Sequence, residues 1–130
     1  MNNLESAQTT QPAYHLRATV VLVGMMGSGK TAIGRAIALK LGVPYVDSDA
    51  EIEAAANATI AEIFARSGET FFRNREAEVI ARLLRSDPCV LSTGGGAYLA
   101  ERNRAAISKH GVAVWLDANL DLLWERVRHK

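Results

Sequence analysis

The sequence predicts an α/β domain built on a parallel sheet, and three observations carry that prediction. Short β-branched apolar runs recur along the chain, as in Ala18-Thr-Val-Val-Leu-Val23 and Val112-Ala-Val-Trp-Leu116. Between them lie segments whose apolar residues return at helical spacing. Glycine clusters follow the strand runs at Val23 and Ser92, where a chain leaving a sheet edge turns into a helix. Buried parallel strands read as continuous apolar runs, and strands alternating with helices call for right-handed crossovers.

The elements follow in order. Residues 1–16 are polar and without hydrophobic period, and are read as a flexible tail, with one domain over 17–130. Ala18–Val23 is the first strand. Ile33, Ile37 and Leu41 then mark a helix that Gly42 ends as a C′ glycine. Val43-Pro-Tyr-Val46 is a short second strand running into Asp47-Ser-Asp49, whose side chains can cap a helix opening near Glu51 and Ile52. Thr59-Ile-Ala-Glu62 has capping-box spacing and opens the segment carrying Ile63 and Phe64. Beyond Gly68, the stretch from Glu69 to Leu84 puts Val79, Ile80, Leu83 and Leu84 on one helical face, until Ser86-Asp-Pro88 breaks the chain. Cys89-Val-Leu-Ser92 is the third strand, Ala100 to Lys109 a polar helix, Val112–Leu116 the fourth strand, and Leu120 to Arg128 an amphipathic segment.

Bulk properties exclude several classes. The 130 residues suffice for one core. Fifteen basic and fourteen acidic side chains leave a net charge of +1, so nothing attracts nucleic acid or an anionic membrane in general, and anion binding has to be local. The start MNNLESAQTT is not a secretory signal, and Ala18 to Met26 is too short to cross a bilayer. Cys89 is the single cysteine, which rules out an internal disulfide, fits a reducing cytoplasm and reads as packed core. The histidines, His15, His110 and His129, are scattered and make no metal site.

Gly24-Met-Met-Gly27-Ser28-Gly29-Lys30-Thr31 carries the strongest chemical signal: glycine, four residues, glycine, lysine, then a hydroxyl residue. Glycines let successive backbone N–H groups close around phosphate oxygens, and the helix that follows adds its positive dipole end. Lys30 then reaches the outer phosphates and the Thr31 hydroxyl ligates Mg²⁺. Asp47 and Asp49 end the second strand on the edge where open α/β sheets bind ligands. One would hold Mg²⁺ through water while the other orients a substrate hydroxyl; the competing reading is that both cap a helix. Gly94-Gly95-Gly96 permits close approach of a ligand, or is a flexible turn. Arg73 and Arg75 sit early in a helix, where the dipole gives a cation nothing. Spacing alone favours an exposed ion pair with Glu76 over a carboxylate-binding role for Arg73.

Taken together, the glycine-rich loop, Asp47-Ser-Asp49, Phe71-Phe-Arg73 through Glu76, and Ser92-Thr-Gly-Gly-Gly96 resemble the shikimate kinase family in order and separation, from about Ala18 to the chain end. The resemblance implies a P-loop, nucleoside-monophosphate-kinase-like three-layer fold around a five-stranded parallel sheet. It implies ATP-dependent phosphorylation of the shikimate 3-hydroxyl by a cytoplasmic monomer. By the same resemblance, ATP contacts fall on Gly27, Ser28, Gly29, Lys30, Thr31 and Ala32, and Mg²⁺ on Thr31 with Asp47. Shikimate contacts fall on Asp49, Arg73 and Gly95, with Phe64 and Phe72 near the ring and Glu76 holding Arg73. Lys30 and Asp49 are the expected catalytic pair. Gluconate kinases share the loop but not the full set of motifs. In the family, a segment like Leu122–Arg128 leads into a lid with an Arg-Pro-Leu-Leu motif, a further arginine for the carboxylate, a last strand and a helix. This sequence stops at Lys130, so the expectation is a fragment of a longer kinase, catalytically impaired or a nucleotide-binding module by itself.

Overall fold

A computed structural model describes residues 16–24 and 28–116. The predicted tail over 1–15, the turn at Met25, Met26 and Gly27, and the predicted segment Leu120–Arg128 lie outside them. The chain runs β1 (Thr19–Gly24), α1 (Ser28–Leu41), β2 (Tyr45–Asp47), α2 (Ser48–Ala56), α3 (Ile60–Leu84), β3 (Val90–Ser92), a 3-10 turn (Ala97–Leu99), α4 (Glu101–His110) and β4 (Gly111–Leu116). Among the described residues the sheet has four strands in the order β2-β3-β1-β4. All three pairings are parallel.

The apolar runs of β1 and β3 are buried because helices cover both faces, whereas Val112 and Trp115 of β4 are exposed. Leu22 and Val90 face α1 through Ile33, Ile37, Ala38 and Leu41. Val21, Val23 and Leu91 face the opposite way, onto Ile63, Phe72, Ile80 and Leu83 of α3 and Ile107 of α4. The result is three layers. Register sets Leu22, Ser92 and Asp47 in one row, so β2 and β3 end together at the carboxyl edge and β1 runs two residues further. The connection leaving β1 crosses the sheet by α1 and the one leaving β3 crosses on the other face by α4. A crevice therefore opens between these two strands, where open sheets take their ligands.

Local chemistry explains the boundaries. Gly42 ends α1 at φ 71°. Its N–H reaches Leu39 O and that of Val43 reaches Ala38 O, a Schellman closure. Val43 is spent on that bond, so β2 starts two residues later than its apolar pattern predicts. Helix α2 starts at Ser48 rather than near Glu51 because Asp47 is itself the cap, accepting from the N–H groups of Asp49 and Ala50. Asn57, left-handed at φ 52°, closes the same helix. The capping box on α3 is present, with Thr59 Oγ1 accepting from Glu62 N at 3.1 Å and Glu62 Oε1 from Thr59 N at 2.8 Å. Gly68 breaks α3 at φ 87°, where the sequence divides the two segments. Strand β3 begins at Val90 rather than Cys89, whose N–H donates to the buried Thr19 Oγ1 while its carbonyl accepts from Val20 N at 3.0 Å. No helix among the described residues is long and apolar enough to cross a membrane.

Candidate active site

The carboxyl edge gathers most of the residues that the motifs single out. Lys30, Thr31, Asp47, Asp49, Ser92, Thr93, Gly94 and Gly95 line one cleft of about 140 Å³. They come from α1, the β2–α2 junction and the turn after β3. Gly27 lies outside the described residues; Ser28 and Gly29 open α1, and Ala32 is exposed one residue past the cleft.

Lys30 is almost fully buried, and its ammonium donates to the Thr93 carbonyl at 2.9 Å. Burial pushes its pKa down, with the carboxylates of Asp49 and Asp47 opposing that shift. The contact spans two motifs 63 residues apart, and sequence reasoning gave Thr93 no role. Its own hydroxyl donates to Leu22 O, fixing the β3 exit against β1.

The two aspartates divide as unlike groups. Asp47 caps α2 through one oxygen, so the capping alternative holds for this residue and leaves its second oxygen free for the cleft. Asp49 does no capping. Its Oδ1 is buried without a hydrogen-bond partner. Burial raises its pKa most, followed by the negative charges of Asp47, Glu76 and Glu53; Lys30 pulls the other way. A carboxylate that binds protons more readily and lacks a partner is suited to accept a hydroxyl hydrogen bond and its proton.

The triple glycine closes on these side chains. A Cβ at Gly94 would stand 2.8 Å from Asp49 Oδ1, and one at Gly96 would stand 2.6 Å from Arg73 Nη2. Both are closer than van der Waals contact allows, so a side chain at either position would push the Asp49 carboxylate or the Arg73 guanidinium from its place. Gly95, between them, is exposed at the cleft mouth.

Arg73 does pair with Glu76, through Nη1 at 3.0 Å to Oε1 and 3.2 Å to Oε2. The pair is not the exposed one expected from spacing, because Glu76 is only 1% accessible. A buried carboxylate gripping the guanidinium from below orients it, while about a third of the arginine side chain remains open to solvent. Phe72 lies beneath the same guanidinium and packs on Phe64 with ring centroids 4.9 Å apart. Arg75 instead makes an exposed pair with Glu78, away from the cleft.

The donor set of Thr31 with Asp47 and Asp49 fits Mg²⁺, which takes few protein ligands and keeps phosphate and water. The orphaned Asp49 oxygen is the observation that such a cation, or a substrate hydroxyl, would satisfy.

Comparison with known proteins agrees. A family model described as shikimate kinase matches residues 26–130. A shikimate kinase of Ruegeria pomeroyi is 70% identical over 115 residues, covering 88% of this chain and 59% of that protein. One of Cereibacter sphaeroides is 68% identical, with 88% and 58% covered. The chain thus spans under two thirds of the length of these relatives. Among solved structures, shikimate kinase from Acinetobacter baumannii in complex with shikimate superposes with a TM-score of 0.78 at 40% identity, over 91% of this chain and 66% of that one. A gluconokinase from Sinorhizobium meliloti, at 22% identity and a TM-score of 0.53, shares the fold. With the family model covering four fifths of its length and the same motifs meeting at one sheet edge, the chain belongs to the shikimate kinase family.

Proposed function

We propose that this chain carries the catalytic core of a shikimate kinase, transferring the γ-phosphoryl group of ATP to the 3-hydroxyl of shikimate. The observation that supports it best is the meeting of Lys30, Asp49, the triple glycine and Arg73 at the end of β3. Residues Gly27 to Ala32 bind the ATP phosphates, with Lys30 leaving the Thr93 carbonyl for a phosphate oxygen. Thr31 and Asp47 would hold Mg²⁺, which when bound would neutralise phosphate charge. Arg73 binds the shikimate carboxylate, held in aim by Glu76, and Gly95 contributes backbone. Asp49 orients the 3-hydroxyl and takes its proton as the oxygen attacks. Alignment and charge stabilisation are what such a transfer requires of a protein. The free, buried Cys89, its pKa raised by burial, suits the reducing cytoplasm in which we place the enzyme as a monomer.

The test is shikimate-dependent ADP release from Mg·ATP, by the 130-residue chain and by a version extended at its C-terminus to the length of the relatives. Gluconate runs beside shikimate. Release with shikimate alone is the expected result, at least from the extended chain. Release with gluconate instead, or with neither while ATP still binds, would overturn the assignment.

A further inference from the structure

Three consecutive residues at the start of α4 send their side chains back to neighbouring elements. Asn103 Nδ2 donates to Ala97 O at 2.9 Å, and Asn103 is 2% exposed. Arg104 Nη1 donates to Tyr98 O at 2.9 Å and to Leu99 O at 2.8 Å. Arg102 Nη2 donates to Asn74 Oδ1, beside Arg73 on α3, at 2.8 Å. The carbonyls of the whole 3-10 turn, Ala97 to Leu99, are therefore held from one helix. The turn is in its own right the continuation of the triple glycine: Ala97 N donates to Gly94 O at 3.1 Å and Leu99 N to Gly96 O at 3.2 Å.

Helix stability does not explain these side chains. The cap position, Ala100, offers no side-chain bond to the helix, and an arginine in the first turn opposes the helix dipole. A buried asparagine costs its desolvation unless its bonds are made. Their common effect is on the glycines, which have no side chain with which to anchor themselves. Gly94 and Gly96 lie so close to the Asp49 carboxylate and the Arg73 guanidinium that a Cβ on either would displace them, so a displacement of the turn by a fraction of an ångström opens or closes the space around both groups.

We propose that Asn103 and Arg104 are positioning residues for the acceptor half of the site. They peg the turn by its carbonyls and so hold the triple glycine against Asp49 and Arg73. This rests on the proposed function, since it assigns the acceptor to those two groups. The nucleotide half, on α1, meets the turn through the Lys30–Thr93 bond, on the side held by β3 and away from the pegged carbonyls.

The experiment measures shikimate and Mg·ADP affinity by titration calorimetry, with a thermal melt alongside, on the extended chain. Asn103→Ala and Arg104→Met are each expected to weaken shikimate about tenfold, the loss typical of a buried or charged hydrogen bond. Mg·ADP affinity is expected to stay within about twofold. Arg104→Lys, which keeps a donor, is expected to recover part of the loss. Should Asn103→Ala fail to fold, Arg104→Met decides, because that side chain is only half-buried. Shikimate affinity unchanged in Arg104→Met would overturn the inference. So would shikimate and nucleotide affinities falling together with melting temperature, which marks a merely structural role. Wild-type protein that binds Mg·ADP but no shikimate would instead remove the proposed function, and this inference with it.

Discussion

Asp49 is a group whose usefulness and whose cost have one cause. Its carboxylate is partly removed from water, stands near Asp47, Glu76 and Glu53, and leaves Oδ1 without a partner. Each of these disfavours the ionised form, and together they outweigh the attraction of Lys30. The folded chain therefore holds a proton on Asp49 more readily than the unfolded chain does. Stability then falls as pH rises from the ordinary carboxylate value of 3.8 through the raised folded value, and is level above it. Replacing Asp49 by Asn removes that charge and keeps the shape. The expected outcome at pH 7 is a melting temperature higher by about 2–4 °C and shikimate-dependent turnover lower by about a hundredfold or more. Urea midpoints taken from pH 4 to 8 check the sign, since the variant loses the downward slope. A variant less stable than wild type at pH 7 would show that Asp49 is paired rather than strained. Its neighbourhood was half legible beforehand. The spacing of Asp47 and Asp49 is local and places both at a strand end, whereas the Thr93 carbonyl under Lys30 depends on strand order, which no local pattern encodes.

The elements show the same division. Several boundaries that depend on residues close in sequence are announced by the chain: the capping box at Thr59, the C′ glycine at Gly42, the break at Gly68 and the apolar face of α3 all appear as expected. Boundaries shift where a backbone group is claimed from a distance, as Cys89 is by Thr19, or by a turn closure, as Val43 is by Ala38. No local pattern announces the 3-10 turn over Ala97–Leu99, because its carbonyls are held by side chains of the next helix. Gly68 offers a test at this scale. No atom lies within 4 Å of where its Cβ would be, so a substitution there meets backbone strain and nothing else. The break sets the course of the helix that carries Phe72, Arg73 and Glu76. Gly68→Ala is expected to cost about 1–3 kcal/mol in urea unfolding, the strain of a left-handed non-glycine residue. It is expected to weaken shikimate binding as well, because straightening the helix is the chain's way of relieving that strain. Thr59→Ala, costing about 1 kcal/mol by loss of the cap, should leave shikimate affinity unchanged and so separates aim from stability.

In the whole molecule, the two halves of the site are carried mainly by different helices and meet at the β2–α2 junction and the turn after β3. The phosphate half sits on the β1–α1 junction. The acceptor half stands on α3, whose apolar face is seated on the sheet through Phe72, Val79, Ile80 and Leu83. With a net charge of only +1, the protein has no general field to draw in anions, so the proposed function requires each half to bind through a local cation, Lys30 in one and Arg73 in the other. That separation makes ligand-linked stability a test of the whole arrangement. A ligand that binds only the folded chain stabilises it by about 2.7 kcal/mol at a hundred times its Kd, a rise in melting temperature on the order of 10 °C for a domain of this size. Mg·ATP and shikimate should each give such a rise in the extended wild-type chain. Arg73→Ala should abolish the shikimate rise and spare that of Mg·ATP, even though it leaves Glu76 buried without its partner and lowers the melting temperature of the free protein. Lys30→Ala should do the reverse. If either substitution removed both rises, the halves would be one cooperative unit, and the division of labour between α1 and α3 would be wrong.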